Sequence, residues 1–411
     1  MANNKNPRKL SAFKLNTLLE ITKLINSNVS SETLLKYFSN VLREYLNIEK
    51  ILIFYNSSSS GWQIILNKGV DKTICDTLNF EKQIKPIKEI THITYFLHKN
   101  KALAYFDFII PIYHKNTPIA FLLIGDVDEE MSGISPSIKH IQFVQTLANI
   151  IIVAIENKYL FKEKIEKEKY KKDLEIAKQV QSYLIPNQKK LARLKEIIHF
   201  EAYYHPHYEI GGDYYDVLPI NNKECIFCIG DVSGKGVPAA ILMANFQANF
   251  RSMIKYSKTY SLKKIVKELN AIVTEQTKNN MFITFFVAKY NKSTSTLTYI
   301  NAGHTPPIFY NSKTQKITEL RQGCSGLGMI SNITIKTGRI TKIPKDSKIF
   351  LYTDGLVETV NNGEYSFNID KIKKVIKNGD IHQNIFYFRY IIENEADTYF
   401  DDISILEGEF V

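Results

Sequence analysis

The sequence predicts an α+β chain in which an N-terminal α/β domain and a C-terminal domain are joined by a helical linker. Three observations carry this expectation. The 411 residues are enough for two domains of ordinary size. Apolar positions repeat at helical spacing near the N-terminus, alternate in strand-like runs beyond it, and return to helical spacing from about Ile141. Residues 162–173, KEKIEKEKYKKD, then hold ten charged residues in twelve without Pro or Gly, the pattern of a solvated helix laced by i,i+4 pairs. The expected divisions are residues 1–155, 156–190 and 191–411.

In the first part, Phe13, Leu15, Leu18, Leu19, Thr22 and Ile25 follow a helical period over residues 12–27. Ser30, Ser31, Glu32 and Thr33 offer an N-cap to a second helix carrying Leu34, Leu35, Phe38, Val41, Leu42 and Tyr45. Strand-like runs follow at residues 50–55, 63–66, 106–113 and 119–126, the last two separated by a hairpin-like break at 114–118. A long helix opens near Ser137 and carries Ile141, Val144, Leu147, Ala148 and Ile151. That order resembles the GAF sensor fold, an antiparallel sheet packed between helices, with a PAS-like sensor as the alternative. No pocket motif names a ligand for it, and the lone Cys75 reads as an idle or buried thiol rather than a chromophore anchor.

In the linker, Tyr170, Leu174, Ala177, Gln181 and Leu184 step by four and three. This is a heptad seam with one polar position, and it predicts a coiled coil that pairs two copies of the chain. Pro186 is expected to end the helix.

Composition excludes several classes. Hydrophobic residues make up 44% and charged residues 23%, as in a soluble globular protein. The start is polar and basic rather than signal-like, and the run around residues 150–155 is too short to span a bilayer. A cytoplasmic chain with no membrane span is expected, and its four cysteines fit that compartment as free thiols. Cys225 and Cys228 form a C-x-x-C, but they sit in a run that reads as a buried strand, with no second pair at zinc spacing. The net charge of +11 lies mostly in residues 1–195, which hold 29 Lys+Arg against 19 Asp+Glu. Without interleaved aromatic platforms this does not point to nucleic acid.

Four acidic positions in the C-terminal part stand apart. They are Asp213 in GGDYYD, Asp231 in GDVSGKG, Asp354 in YTDGLVE and Asp401 in DDISIL. Each sits at the end of an apolar strand-like run or beside glycine, where carboxylates can converge with little crowding. Any one alone reads as a turn or a cap. Taken together, they repel one another unless cations neutralise them, and oxygen-only donors favour Mg²⁺ or Mn²⁺ over zinc. Two such ions can acidify a water and align it for attack on phosphorus.

These motifs occur in order with the Ala177-x-x-Val180-Gln181-x-x-Leu184-x-Pro186 run, with NAGHTPP at 301–307 and with SGLG at 325–328. Together they resemble the SpoIIE/RsbU-type branch of the metal-dependent, protein-phosphatase-2C-like family over about residues 175–411. The resemblance implies an α-β-β-α sandwich and a serine/threonine protein phosphatase with two Mn²⁺ or Mg²⁺ ions. It also implies a phosphorylated STAS-domain anti-sigma-factor antagonist as substrate. It makes Asp231 the carboxylate shared by the metals, with the Val232 carbonyl beside it. Asp354 and Asp401 complete the site, Asp213 lies on the metal side, and Asp402 is a hydrogen-bonding neighbour.

Two departures from the wider family stand out. Ser233 replaces a histidine two residues after the shared aspartate, and no arginine lies near residues 209–213 to clamp phosphate. The His205-x-His207 pair would share a face if both lay on a strand, but the family pattern does not use it, and His304 is expected to shape its turn. A non-catalytic scaffold and a nucleotide-binding sensor remain as alternatives. The intact aspartates oppose the first, and the lack of a P-loop or dinucleotide glycine motif opposes the second.

Overall fold

The computed structural model describes residues 7–57, 61–93, 102–125, 136–256, 261–361 and 363–411. Asp126, expected to end a strand, lies outside them. Two compact units emerge, Met1–Glu168 and Lys169–Val411.

The first unit opens with α1 (Pro7–Asn26) and α2 (Ser31–Leu46). Ser30 caps α2 by accepting the Thr33 N–H at 3.1 Å. Strands β1 (Lys50–Ser57) and β2 (Gly61–Lys68) follow, then α3 (Lys72–Thr77), β3 (Thr91–His92), β4 (Phe108–His114) and β5 (Thr117–Gly125). They form an antiparallel sheet of order β2-β1-β5-β4-β3. The β4–β5 turn is tighter than expected, because His114 pairs directly with Thr117, and Pro118 is accommodated beside a register shift at Ile112/Tyr113. Strand alternation sorts the core. Ile51, Ile53 and Tyr55 pack with α2 and with the next helix, α4 (Pro136–Ser182), while Leu52 and Phe54 face a second cluster.

The second unit contains α5 (Gln188–Leu191), β6 (Ile198–His205), β7 (Tyr214–Asn221), β8 (Glu224–Val232), α6 (Val237–Tyr256) and α7 (Leu262–Thr277). Strands β9 (Ile283–Asn291), β10 (Thr296–Ala302), β11 (Ile308–Tyr310), β12 (Ile317–Glu319), β13 (Gly323–Cys324), β14 (Gly338–Ile340) and β15 (Lys348–Tyr352) come next. A short hairpin, β16 (Val360–Asn361) and β17 (Glu364–Tyr365), precedes α8 (Ile369–Asn378), α9 (Ile381–Asn394) and β18 (Ile403–Phe410). One sheet runs β13-β10-β9-β8-β7, with β14 beside β10, and the other runs β12-β11-β15-β18-β6. Cys225, Phe227 and Ile229 of β8 meet Leu351 and Leu406 of the facing sheet. On its other side β8 turns Ile226 and Cys228 to α6 and α7. The second sheet likewise turns Phe350 and Ile405 to α8 and α9. The layers are therefore helix, sheet, sheet, helix, and the two β8 thiols lie on opposite faces of one sheet.

The linker seam differs from the expectation. Helix α4 stops at Ser182, so Leu184 lies outside it. Gln181 is buried, donates to the Gly211 carbonyl at 2.7 Å and accepts the Gly211 N–H at 3.2 Å. The polar seam position thus serves its own unit, because an orphaned backbone pair at Gly211 would be costly to bury. The large apolar side chains left exposed on this stretch are Tyr170, Ile176, Val180 and Tyr183, rather than Leu174 and Ala177.

A second buried polar group sits on β18. Glu407 is fully buried, accepts from Asn384 Nδ2 at 2.8 Å and has an unpartnered Oε2. Burial pushes its carboxyl from the ordinary 4.5 up to about 8, against the Asn384 hydrogen bond and the Lys348 charge.

Two predictions follow from these groups. Gln181→Leu would strengthen a coiled-coil seam, yet here it removes two buried hydrogen bonds and is expected to lower the chain's stability by about 1–3 kcal/mol. An unchanged or raised denaturation midpoint would contradict this. For Glu407, the folded chain holds the proton above the unfolded value, so its stabilising effect is complete below pH ~4.5 and is lost as pH rises toward ~8. Glu407→Gln is therefore expected to melt higher than the parent at pH 8.5 and level with it at pH 4.5, and equal melting at both pH values would contradict the assignment.

Candidate metal centre

Antiparallel pairing brings four strand ends to one edge of the sandwich. Tyr214 at the start of β7 pairs with Gly230 near the end of β8, and Tyr352 at the end of β15 pairs with Ile405 near the start of β18. Asp213 immediately precedes β7, Asp231 is the penultimate residue of β8, Asp354 follows β15 by two residues, and Asp401 and Asp402 lead into β18. The chain folds so because each acid terminates a run of buried apolar residues that the core fixes.

Their charges interact. Burial, followed by the charges of Asp354, Asp401 and Asp402, pushes the Asp231 carboxyl up to about 8, against a hydrogen bond it shares with Asp213. Burial and the charges of Asp231 and Asp402 also raise Asp213 well above the carboxylate range. Asp354 is raised by burial and by Asp401, and Lys235 opposes the rise. Mutual elevation of this kind marks carboxylates that share one low-dielectric space.

Neutral donors steady the inner side of the cluster. Asp402 accepts the His207 N–H at 2.7 Å and the Gly212 N–H at 2.6 Å, so its carboxylate ties down the loop that delivers Asp213. Thr353 is fully buried, donates its hydroxyl to Asp213 Oδ2 at 2.8 Å and accepts the Ser404 N–H at 2.9 Å. One threonine thereby links both sheets at the site. Gly211 permits the close approach, since a Cβ there would fall 2.4 Å from Asp402 Oδ2 and 2.6 Å from the Tyr204 hydroxyl. A Cβ on Gly212 would lie 3.1 Å from the Val232 carbonyl oxygen, so that oxygen faces the Asp213 loop.

The outer side holds a cation. Lys235 Nζ lies 3.3 Å from Asp401 Oδ2 and donates to the Phe400 carbonyl. In GDVSGKG this lysine stands between two glycines, and only the fold shows that the turn aims it at an acid far along the chain. Thr353 was equally open to notice as the neighbour of Asp354.

Other flagged residues lie elsewhere or play other parts. Asp216 of GGDYYD takes a bidentate pair from Arg251, at 2.6 and 2.9 Å, and the Tyr214 hydroxyl at 2.6 Å. It anchors β7 to α6 on the helix side. His205 ends β6 and contacts the Tyr399 hydroxyl through Nε2 at 2.9 Å, whereas His207 lies beyond the strand, so the two do not share a strand face. His304 is buried, its value pushed down to about 4, and it meets the Thr284 hydroxyl through Nδ1 at 2.9 Å. Asn301 closes its turn with bonds to the His304 carbonyl and N–H. The Ser233 hydroxyl accepts the Phe282 N–H at 2.9 Å.

The candidate donors expected from the sequence, Asp213, Asp231, Asp354, Asp401 and the Val232 carbonyl, are all oxygen. Among the described residues no group of three His, Cys, Asp or Glu side chains forms a ready-made metal cage. An open acidic cluster with mutually raised carboxyls nonetheless fits hard divalent cations, which supply the charge it lacks and keep several waters.

Gly211→Ala should drive a methyl into Asp402 and loosen the loop carrying Asp213. The expected loss of stability is about 1–3 kcal/mol, with weakened binding of Mn²⁺. A melting temperature and a Mn²⁺ titration curve both equal to the parent's would contradict the close approach.

Comparison with known proteins bears on the same region. Residues 221–410 match the family profile of Stage II sporulation protein E (SpoIIE). Asp231, Val232, Asp354 and Asp401 lie inside that span, and Asp213 lies before it. Phosphoserine phosphatase RsbU of Bacillus subtilis is 33% identical over 196 residues, which cover 46% of this chain and 54% of that protein. Protein IcfG of Synechocystis sp. is 27% identical over 288 residues, which cover 62% of this chain and 44% of that protein. The chain thus spans about half the length of the curated relatives it matches. Among solved structures, the SiaA-PP2C domain of Pseudomonas aeruginosa aligns with a TM-score of 0.52 at 17% identity, covering 60% of this chain and 99% of that domain. At that identity the likeness speaks for the fold. Residues 221–410 are thus similar to the SpoIIE/RsbU-type phosphatase family.

Proposed function

We propose that the chain is a metal-dependent protein serine/threonine phosphatase controlled by its N-terminal unit. The observation that carries this reading is the convergence of Asp213, Asp231, Asp354 and Asp401 on one edge of a two-sheet sandwich, where the charges of Asp231, Asp354 and Asp401 raise the proton affinity of neighbouring carboxyls. In this reading Asp231, Asp354, Asp401, Asp213 and the Val232 carbonyl would hold two Mn²⁺ or Mg²⁺ ions. Bound divalent ions would neutralise the phosphoryl oxygens and supply an acidified water as nucleophile.

The chain's own residues hold that arrangement. Thr353 and the hydrogen bond to Asp231 fix the Asp213 carboxyl. Asp402 fixes the loop behind it through the backbone of His207 and Gly212. Ser233 stands where the wider family has a histidine, and its hydroxyl is bound to the Phe282 N–H. That bond uses the oxygen and leaves the hydroxyl hydrogen, but an alcohol is too weak an acid near neutral pH to replace the histidine, and protonation of the leaving serine or threonine oxygen falls to solvent. Arg251 is committed to Asp216 and does not clamp phosphate.

For substrate we propose a phosphorylated STAS-domain protein of a partner switch, a reading supported by the likeness to phosphoserine phosphatase RsbU. The first unit is read as a GAF-like sensor with an unidentified ligand. Its antiparallel order β2-β1-β5-β4-β3 between helices supports that reading. Pairing of two copies is proposed through the exposed Ile176, Val180 and Tyr183, which stand in for the expected seam. No helix among the described residues is long and apolar enough to cross a membrane.

The test is phosphate release from a phosphorylated STAS protein of the same cell. The parent chain is expected to require Mn²⁺ or Mg²⁺, and Asp231→Asn is expected to lose nearly all turnover, on the order of a hundredfold or more, while remaining folded. Turnover that is insensitive to metal chelation, or that survives in Asp231→Asn, would contradict the reading. A folded parent inactive with either metal would favour a scaffold.

A further inference from the structure

We propose that Lys235 is a tethered counter-ion of the carboxylate cluster, and that its ammonium and a divalent ion exclude one another at Asp401. The inference rests on the metal-dependent reading above and concerns what sets the affinity for metal.

The geometry is specific. Lys235 stands on the turn that directly follows β8, between Gly234 at φ +90° and Gly236 at φ +69°. These are left-handed conformations that glycine adopts at little cost. The Ser233 N–H donates to the Phe282 carbonyl and the Ser233 hydroxyl accepts the Phe282 N–H, so the base of the turn is fixed to the chain just before β9. From that base the ammonium reaches Asp401 Oδ2 at 3.3 Å and the carbonyl of Phe400, 165 positions away in sequence. Its charge also opposes the rise in proton affinity of Asp354 and of Glu358.

The two sides of the cluster are therefore stabilised differently. Asp213 and Asp402, on the inner side, are held by the Thr353 hydroxyl and by backbone N–H groups. These neutral donors are compatible with a cation on the remaining lone pairs. Asp354 and Asp401, on the outer side, also accept backbone N–H groups, Asp401 Oδ1 that of Asp402 at 2.8 Å, and in addition face a full positive charge. A divalent ion that takes Asp401 would meet the ammonium at contact distance, where like charges repel. The ammonium must then leave, and it can do so. Its side chain is 38% exposed and rides on a flexible four-carbon stem. Lys235 thus steadies the metal-free protein and raises the metal concentration needed to fill the outer position.

Lys235→Met keeps the length of the side chain and removes the charge. In the full chain it is expected to bind Mn²⁺ about three- to tenfold more tightly by calorimetric titration. Without metal it is expected to melt below the parent, and Mn²⁺ is expected to raise its melting temperature by more than the parent's. Lys235→Gln, a second neutral variant, should behave alike and guards against a folding defect peculiar to Met. Unchanged or weaker Mn²⁺ binding in folded neutral variants, beside a parent that binds the ion, would overturn this inference alone. A parent that binds neither Mn²⁺ nor Mg²⁺ would overturn the metal-dependent reading and this inference with it.

Discussion

Like charges held in a low-dielectric space repel, and the C-terminal unit places at least five carboxyls, Asp213, Asp231, Asp354, Asp401 and Asp402, at one edge of its sandwich. The rest of the unit is arranged around that constraint. Two sheets with full hydrophobic layers on both faces hold the strand ends in place whether or not the acids are neutralised. Each acid lies where a buried strand begins or ends, so the repulsion acts at strand ends and loops rather than on the core. The energy needed to keep the carboxyls together comes from burial elsewhere in the domain, and what remains at the edge is a demand for positive charge.

The local devices at the edge each lower that repulsion or restrain its consequences. Thr353 joins the sheets across Asp213, Asp402 gathers the backbone of its neighbours, and Lys235 supplies a positive charge on the open side. Asp216, by contrast, is fully neutralised by Arg251 and works as a brace between β7 and α6. Two acids three positions apart in one motif therefore do opposite things. Asp213 has neutral hydrogen-bond partners but no paired cation, and Asp216 is ion-paired as a brace.

Much of this was legible in the sequence because it is written locally. The strand runs, the Ser30 cap, the β8 alternation that separates Cys225 from Cys228, and the acids at strand ends all follow from short-range periodicity and from glycine beside aspartate. The missing part consists of pairings between distant positions. Lys235 with Asp401, Thr353 with Asp213 and Gln181 with Gly211 cannot be read from spacing, since no local pattern specifies which strand ends will meet. Gln181 shows the cost of a purely periodic reading. It fell on a heptad position and so looked like a seam residue, yet its amide satisfies both backbone groups of a glycine that has no room for a side chain.

The central claim, that this edge exists to hold two divalent cations, is tested most directly by anomalous scattering from crystals of the chain grown with Mn²⁺. The account predicts two manganese peaks flanking the Asp231 carboxylate, one shared with Asp354 and Asp401 and one toward Asp213 and the Val232 carbonyl. Manganese bound elsewhere on the chain, or an acidic edge that stays free of it at saturating concentration, would contradict it.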